Sequence, residues 1–334
     1  MAQQPTVVQV AFDYRAQLER NEDEALRRMA RYWVQIEQEI QPQLDALVAE
    51  IEQLKRNGQP ISPQLIYSRN RYQSMMAQIQ RELDGYSQTA TDLISEYQRR
   101  DFLLGLDDAN AIIKAAGPDS SIWTRVNVDA AEMVAGFAGN GAPLATLLRT
   151  DYGELGSKIT DALISGVALG KGPDATARAM RDAMGFESKR WMRVARTEIN
   201  RSYRLANAQQ YAASGVVEKV LRLAYKPTAC FACLEMDGEE CPNGIVDDHP
   251  NGKCSSVVKT FHGKMPEWQT GHEWLMEQSE ADQRRIMGDG RYEMWKKDGV
   301  SPRDMVEMRD NPVWGGSPSV ISEKRLLKQL GGLE

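Results

Sequence analysis

The tightest constraint on this chain is a cluster of side chains suited to hold a metal. Cys230-Phe-Ala-Cys233 is followed by Asp237-Gly238 and then by Asp248-His249-Pro250-Asn251-Gly252-Lys253-Cys254. All four cysteines of the 334-residue chain lie between positions 230 and 254, with one of its three histidines. A Cys-x-x-Cys turn aims two sulfurs at one point, and a later His and Cys can complete a tetrahedron. This is the pattern of a small metal knuckle or a redox turn. The obvious zinc set is Cys230, Cys233, His249 and Cys254, with Cys241 able to replace His249 and give four thiolates. A closed four-ligand site is structural, since no coordination position remains for water. It would pin a long loop that has no apolar core of its own, so metal binding would stabilise the fold directly. The alternatives are reduced, partly buried thiols around an acidic loop, with His249 capping a turn, and a Cys230–Cys233 disulfide. A reducing compartment weighs against the disulfide.

The rest of the chain reads as mainly α. Residues 13–56 form one long helix, with Met29, Trp33, Ile36, Ile40, Leu44, Leu47, Ile51 and Leu54 spaced by threes and fours. Pro42 removes a helix donor, so a kink or break is expected there. Asn57-Gly58-Gln59-Pro60 is a turn. A second helix over about 63–100, with Leu65, Tyr72, Met75, Met76, Ile79, Leu83 and Tyr86 inward, completes an antiparallel hairpin. Residues 102–187 read as shorter helices separated by Gly and Pro, with Asp174 capping Ala175–Met184 and Gly185 ending that helix. Gly170-Lys-Gly172 lacks a phosphate-loop pattern and reads as a helix–helix turn. Residues 188–214 are helical, and 216–226 and 255–261 are candidate strands with the Cys/His loop between them. Beyond Pro266 the chain is again mostly helical, over 267–277, 280–287, 291–297 and 302–309. Gly315-Gly316-Ser-Pro318 reads as a loop and 321–330 as a last short helix. Trp274, Ile286, Tyr292 and Trp295 pack a helical subdomain; Trp314 is either core or an anchor for a partner.

This gives a division into a long helical hairpin or arm (1–101), a helical middle region (102–187), a small α+β module with the Cys/His knuckle (188–262) and a helical C-terminal tail (263–334). No run of apolar residues is long enough for a membrane helix, and no secretory signal is expected from Met1-Ala-Gln-Gln-Pro-Thr. Mean hydropathy of −0.51 and a net charge of −6 fit a soluble chain and argue against wholesale nucleic-acid coating. Clustered cysteines in a chain this long do not look like a disulfide framework.

Charge is unevenly placed. Residues 188–226 carry nine Lys or Arg and two Glu, whereas 227–254 carry six acids and one Lys. Arg193, Arg196 and Arg204 share a helical face with Asn200 between them, and Arg201 follows closely. Such a face can pair with phosphates. Equally, its arginines can pair with the acidic knuckle and hold the module together.

The order of these elements carries a resemblance. Trp191-Met-Arg-Val-Ala-Arg-Thr-Glu-Ile-Asn-Arg-Ser-Tyr-Arg-Leu-Ala-Asn207 is followed by Gly215, a β-rich run, Cys-x-x-Cys, Asp-Gly and His-Pro-Asn-x-x-Cys. Over about 188–258 this resembles the minor head, or head morphogenesis, proteins of tailed phages, in particular the Mu F-like group. The family often has two cysteines after His-Pro-Asn; here Gly252-Lys253-Cys254 follows, and Cys241 is additional. The resemblance implies a phage minor head protein acting in procapsid assembly and DNA packaging or delivery. Its implied partners are the portal protein, the major capsid or scaffolding protein and packaged double-stranded DNA. Its implied location is the host cytoplasm during assembly and then the head interior near the portal, with no membrane involved. On this reading the helical arm binds portal or capsid protein, the basic helix faces DNA, and structural zinc steadies the module.

The competing class is a metal-dependent DNA-processing enzyme. Asp248-His249 is similar to the start of HNH-type nuclease motifs, with His249 as general base. The later Asn and His of that motif are not matched, since Phe261-His262-Gly263 lacks the Asn context. No Gly-x-Ser-x-Gly elbow is present. No ADP-ribosyltransferase set is found in the C-terminal third. The absence of a convincing catalytic constellation favours a structural protein over an enzyme.

Overall fold

The computed structural model describes residues 6–60, 65, 68–117, 125–148, 158–159, 161–162, 165, 173–226 and 228–329. Gly170-Lys-Gly172 lies outside them. The described part is mainly helical, with two small antiparallel sheets and the Cys/His cluster, as expected. Long helices dominate: α1 (Val7–Arg56), α2 (Asn70–Ala115) and α4 (Pro173–Ser214), with a short α3 (Ala130–Val134). Strand β1 (Val217–Leu223) follows, then α5 (Phe231–Glu235) and β2 (Ser255–Thr260). The C-terminal part holds α6 (Gly271–Met276), α7 (Glu280–Met287), α8 (Asp289–Asp298), a 3-10 turn (Pro302–Met305), β3 (Val306–Asn311), β4 (Gly315–Val320) and α9 (Glu323–Gln329). Among the described residues no helix is long and apolar enough to cross a membrane.

The chain divides into two compact units, each built from separated stretches. One comprises Asp23–Glu96 and Gly136–Arg196. Here α1 and α2 run antiparallel, joined by a Tyr86 hydroxyl that donates to the Met29 carbonyl at 3.3 Å and an Arg71–Glu50 ion pair at 3.1 Å. The predicted stripe is the buried one: Met29, Trp33, Ile36, Ile40, Leu44, Leu47 and Ile51 meet Met75, Ile79, Leu83 and Tyr86. Trp191 stacks on Tyr86 with ring centroids 4.5 Å apart. The expected break at Pro42 does not occur, and α1 passes through it. Pro42 forfeits one backbone bond, but the buried stripe continues on both sides of it and holds the helix together.

The other unit comprises Met1–Glu22, Tyr97–Ala135 and Thr197–Glu334. Its main core joins Val10 and Ala11 of α1, Ile112 and Ile113 of α2, Tyr211 of α4, and Val220, Val257 and Val258 of the β1–β2 sheet. Cys233, Cys241 and Cys254 belong to the same core. Strands β1 and β2 pair antiparallel, with Val220 opposite Val258 and Leu223 opposite Ser255, so the whole knuckle is their connection. Residues 238–241 lie along the other edge of β1, where Cys241 N–H donates to the Val220 carbonyl at 2.8 Å. A second core packs Phe231, Leu234 and Met236 against Leu275, Met287, Tyr292, Met305 and Ile321. It contains the expected Trp274, Ile286, Tyr292 and Trp295 group.

Three local readings are corrected. The second hairpin helix does not end near residue 100 but continues to Ala115, because Phe102, Leu106, Ala109, Ile112 and Ile113 extend its buried stripe. Gly185 does not end a helix: α4 runs unbroken from Pro173 to Ser214. A single helical glycine costs only about 0.5–1 kcal/mol, and the stop comes at Gly215, whose φ of 67° ends the helix in the left-handed region. Residues 302–309 are not a helix, nor 315–318 a loop. A 3-10 turn leads into the β3–β4 hairpin, with Val306 opposite Val320 and Asn311 opposite Gly315. The Asn311 side chain accepts the N–H groups of Val313 (2.9 Å) and Trp314 (3.0 Å), and so closes that turn.

Candidate metal centre

Helix α5 is one turn long and begins at the first knuckle cysteine. Cys230 is its N-cap, in extended backbone, and its carbonyl accepts the Leu234 N–H at 3.0 Å. That turn carries the Cys230 and Cys233 thiols to one side, with their sulfurs within 4.8 Å of each other. The Cys254 sulfur, just before β2, is also within 4.8 Å of that of Cys233. His249 Nε2 lies 3.3 Å from Cys230 Sγ, and His249 Nδ1 is 3.0 Å from the Pro250 carbonyl. An Nδ1–H donated to that carbonyl leaves the Nε2 lone pair facing the thiols, the tautomer a metal ligand needs.

Two triplets of donor atoms each lie within 4.8 Å: Cys230, Cys233 and His249, and Cys233, Asp248 and Cys254. They share Cys233. Cys230, Cys233, His249 and Cys254 all line one small cavity of about 60 Å³. The donor chemistry, three sulfurs and one imidazole nitrogen, suits zinc. Cys241 lines a different cavity, facing the β3–β4 hairpin, and burial pushes its thiol up to about 11. The structure therefore brings together the four residues of the first expected set and leaves the substitute apart.

Electrostatics follow from this packing. The Cys230 thiol is held down at about 4, first by the bond from Cys233 and then by His249. The bond to Cys230 raises His249 to about 9. The same bond, together with Cys254 and burial, keeps the Cys233 proton on. Without a metal, the cluster is a thiolate–imidazolium pair over a buried thiol.

Asp248, readable from sequence as a turn residue, organises the loop from inside. It is 4% exposed. Its Oδ1 accepts the His249 N–H at 2.9 Å and its Oδ2 the Cys254 N–H at 3.0 Å. Gly252 is the only residue type that fits opposite, since any Cβ there would overlap the Asp248 carboxylate. Asn251 takes a φ of 66°, a value Asn tolerates, and its N–H donates to Thr197 Oγ1 at 3.2 Å. Asp237 of the Asp-Gly pair accepts the N–H groups of Ala224 (2.8 Å) and Gly271 (2.7 Å) and Trp268 Nε1–H at 3.2 Å. It ties the end of β1 to the start of α6.

The basic helix divides. Arg204 is 7% exposed, and its Nη1 lies 3.4 Å from both Asp248 Oδ2 and the Gly252 carbonyl. It pairs with the acidic knuckle, as the alternative reading of this face has it. Arg201 is partly exposed and 3.9 Å from Glu198. Arg193 is exposed and Arg196 partly buried. His262 is exposed. Sequence reasoning missed Arg222 altogether: it is 5% exposed, donates from Nη2 to the Asp247 carbonyl, and lies among the knuckle thiols. No alternation in β1 singled it out, since Val220, Leu221, Arg222 and Leu223 are all buried.

This assembly is a Cys/His knuckle carried between two strands and braced by a long helix. Residues 157–256 match the model of a family described as Phage Mu protein F like protein. The Mu F-like resemblance read from the motif order is thereby borne out over the segment that builds the knuckle. The comparisons with curated proteins and with solved structures return no match.

Proposed function

We propose that this chain is a minor head protein of a tailed phage, portal-associated, acting in procapsid assembly and DNA packaging or delivery as a structural component. The single observation that carries this reading is the family match over 157–256, which supports a phage head-morphogenesis protein. Zinc is the proposed cofactor, held by Cys230, Cys233, His249 and Cys254, where it would crosslink α5, the loop and β2. The His249 ring nitrogens face Cys230 and the Pro250 carbonyl, which favours a ligand over the general base of a nuclease. Portal, capsid or scaffolding protein is the proposed partner of the helical arm. Packaged double-stranded DNA is the proposed partner of Arg193, Arg196 and Arg201.

The test is peptide mass spectrometry on gradient-purified particles, with empty procapsids and full heads analysed separately. Low-copy presence in both is expected of a portal-associated head protein. Absence from both overturns the structural reading, and a nuclease assay on the purified chain becomes the next experiment.

A further inference from the structure

Two buried guanidinium groups flank the knuckle, and their charge is not balanced by the protein. Arg204 is 3.4 Å from Asp248. Arg222 gives Nη2 to the Asp247 carbonyl, while its Nη1 is buried without a hydrogen-bond partner. Among the described residues, Asp248 is the one buried carboxylate in an ion pair with either. The neighbouring buried cation, Arg15, is matched by Glu22 at 2.9 Å. The Asp247 carboxylate also attracts both guanidinium groups, but it is exposed, where water screens it. The interior around the thiols therefore holds two positive charges against one negative. An uncompensated buried charge costs several kcal/mol.

A divalent cation with three thiolates and one neutral imidazole carries one net negative charge, which closes this balance. Four thiolates would overshoot it, and protonated thiols leave it open. Each oxygen of Asp248 accepts a backbone N–H, so its carboxylate is already engaged in ordering the loop. Resting on the zinc reading above, we infer that Arg222, with Arg204, is a positioning residue that sets the charge of the site: it selects a divalent metal on Cys230, Cys233, His249 and Cys254. Arg222 also holds its charge in this setting. Burial opposes it, and the Asp248 carboxylate works the other way.

The test is anaerobic cobalt(II) titration of the reduced, metal-free full chain, comparing wild type, Arg222→Met and Arg222→Lys. Wild type should bind one equivalent, with the near-ultraviolet and visible bands of tetrahedral cobalt on three sulfurs and one nitrogen. Arg222→Met should bind about 10–100-fold more weakly, the range for lost supporting contacts at metal sites. Arg222→Lys, which keeps the charge, should stay close to wild type and shows that the fold tolerates the change. Equal cobalt affinity in Arg222→Met overturns the inference alone. So does a Lys variant that folds but binds cobalt as weakly as Arg222→Met is expected to. No cobalt bound by wild type overturns the zinc reading and the inference together.

Discussion

Trp314 donates its indole Nε1–H to Glu198 Oε1 at 2.7 Å, across 116 residues of sequence. Glu198 is fully buried, so this bond joins the tip of the β3–β4 hairpin to α4. It settles Trp314 as an internal tie.

Removing the donor should therefore cost stability. Trp314→Phe keeps an aromatic ring and removes this donor from a fully buried carboxylate. A loss of about 1–3 kcal/mol is expected, read as a lower urea midpoint with an unchanged slope. A midpoint equal to wild type would count against the tie.

Arg204→Met should be more damaging. It abandons Asp248 inside the protein, and breaking a buried pair costs about 3–5 kcal/mol. Thermal unfolding of the variant checks this. Arg193→Met, at an exposed position on the same helix, should leave the melting temperature nearly unchanged.

Two glycines should respond in opposite directions. Gly252→Ala drives a methyl into the Asp248 carboxylate and should cost about 1–3 kcal/mol, with weaker metal retention. Gly185 lies within α4 with open space around it, so Gly185→Ala should gain about 0.5–1 kcal/mol. Paired unfolding curves decide both.

Asp108 gives a pH dependence with a defined sign. It is fully buried, accepting the Tyr203 hydroxyl and, at 3.1 Å, the Asn207 amide. Burial raises its carboxyl to about 8, against the pull of those bonds. Between about pH 4 and 8 the folded chain keeps a proton that the unfolded chain has lost. Stability from this group is complete below the unfolded pKa and declines as pH rises through 8, by up to about 1.4 kcal/mol per pH unit. Asp101, raised to about 7 chiefly by burial, acts in the same direction. Asp108→Asn should flatten the decline in urea midpoint between pH 5 and 8; identical slopes in both proteins would refute it.

Metal removal should lower the melting temperature under reducing conditions, and one equivalent of zinc should restore it. A site filled to 100 times its Kd contributes about 2.7 kcal/mol. Cys230→Ser or His249→Ala should abolish the zinc response. Cys241→Ser should retain it, since Cys241 lines a different cavity.

Much of this was legible in the sequence because it depends on period and spacing. The stripe from Met29 to Ile51 repeats every three or four residues whatever packs on it, and Cys-x-x-Cys is a local turn. The β3–β4 hairpin was not legible: Gly315-Gly316-Ser317-Pro318 has loop composition, and only pairing with Val306–Asn311 makes it a strand. The pairing of Arg204 with Asp248 was only partly legible for a related reason. Their roles come from meeting each other 44 residues apart, which no local pattern records.

Lys253 Nζ reaches Glu19 at 2.7 Å, 234 positions away in sequence, and Cys233, Cys241 and Cys254 share a core with Val10 and Ala11. During synthesis, therefore, the opening turns of α1 leave the ribosome long before their partners exist. A chain that stops short of β2 lacks the Val257 and Val258 part of their cover, and apolar surface left open in this way is prone to aggregation. This core therefore closes only in a polypeptide read past Val258.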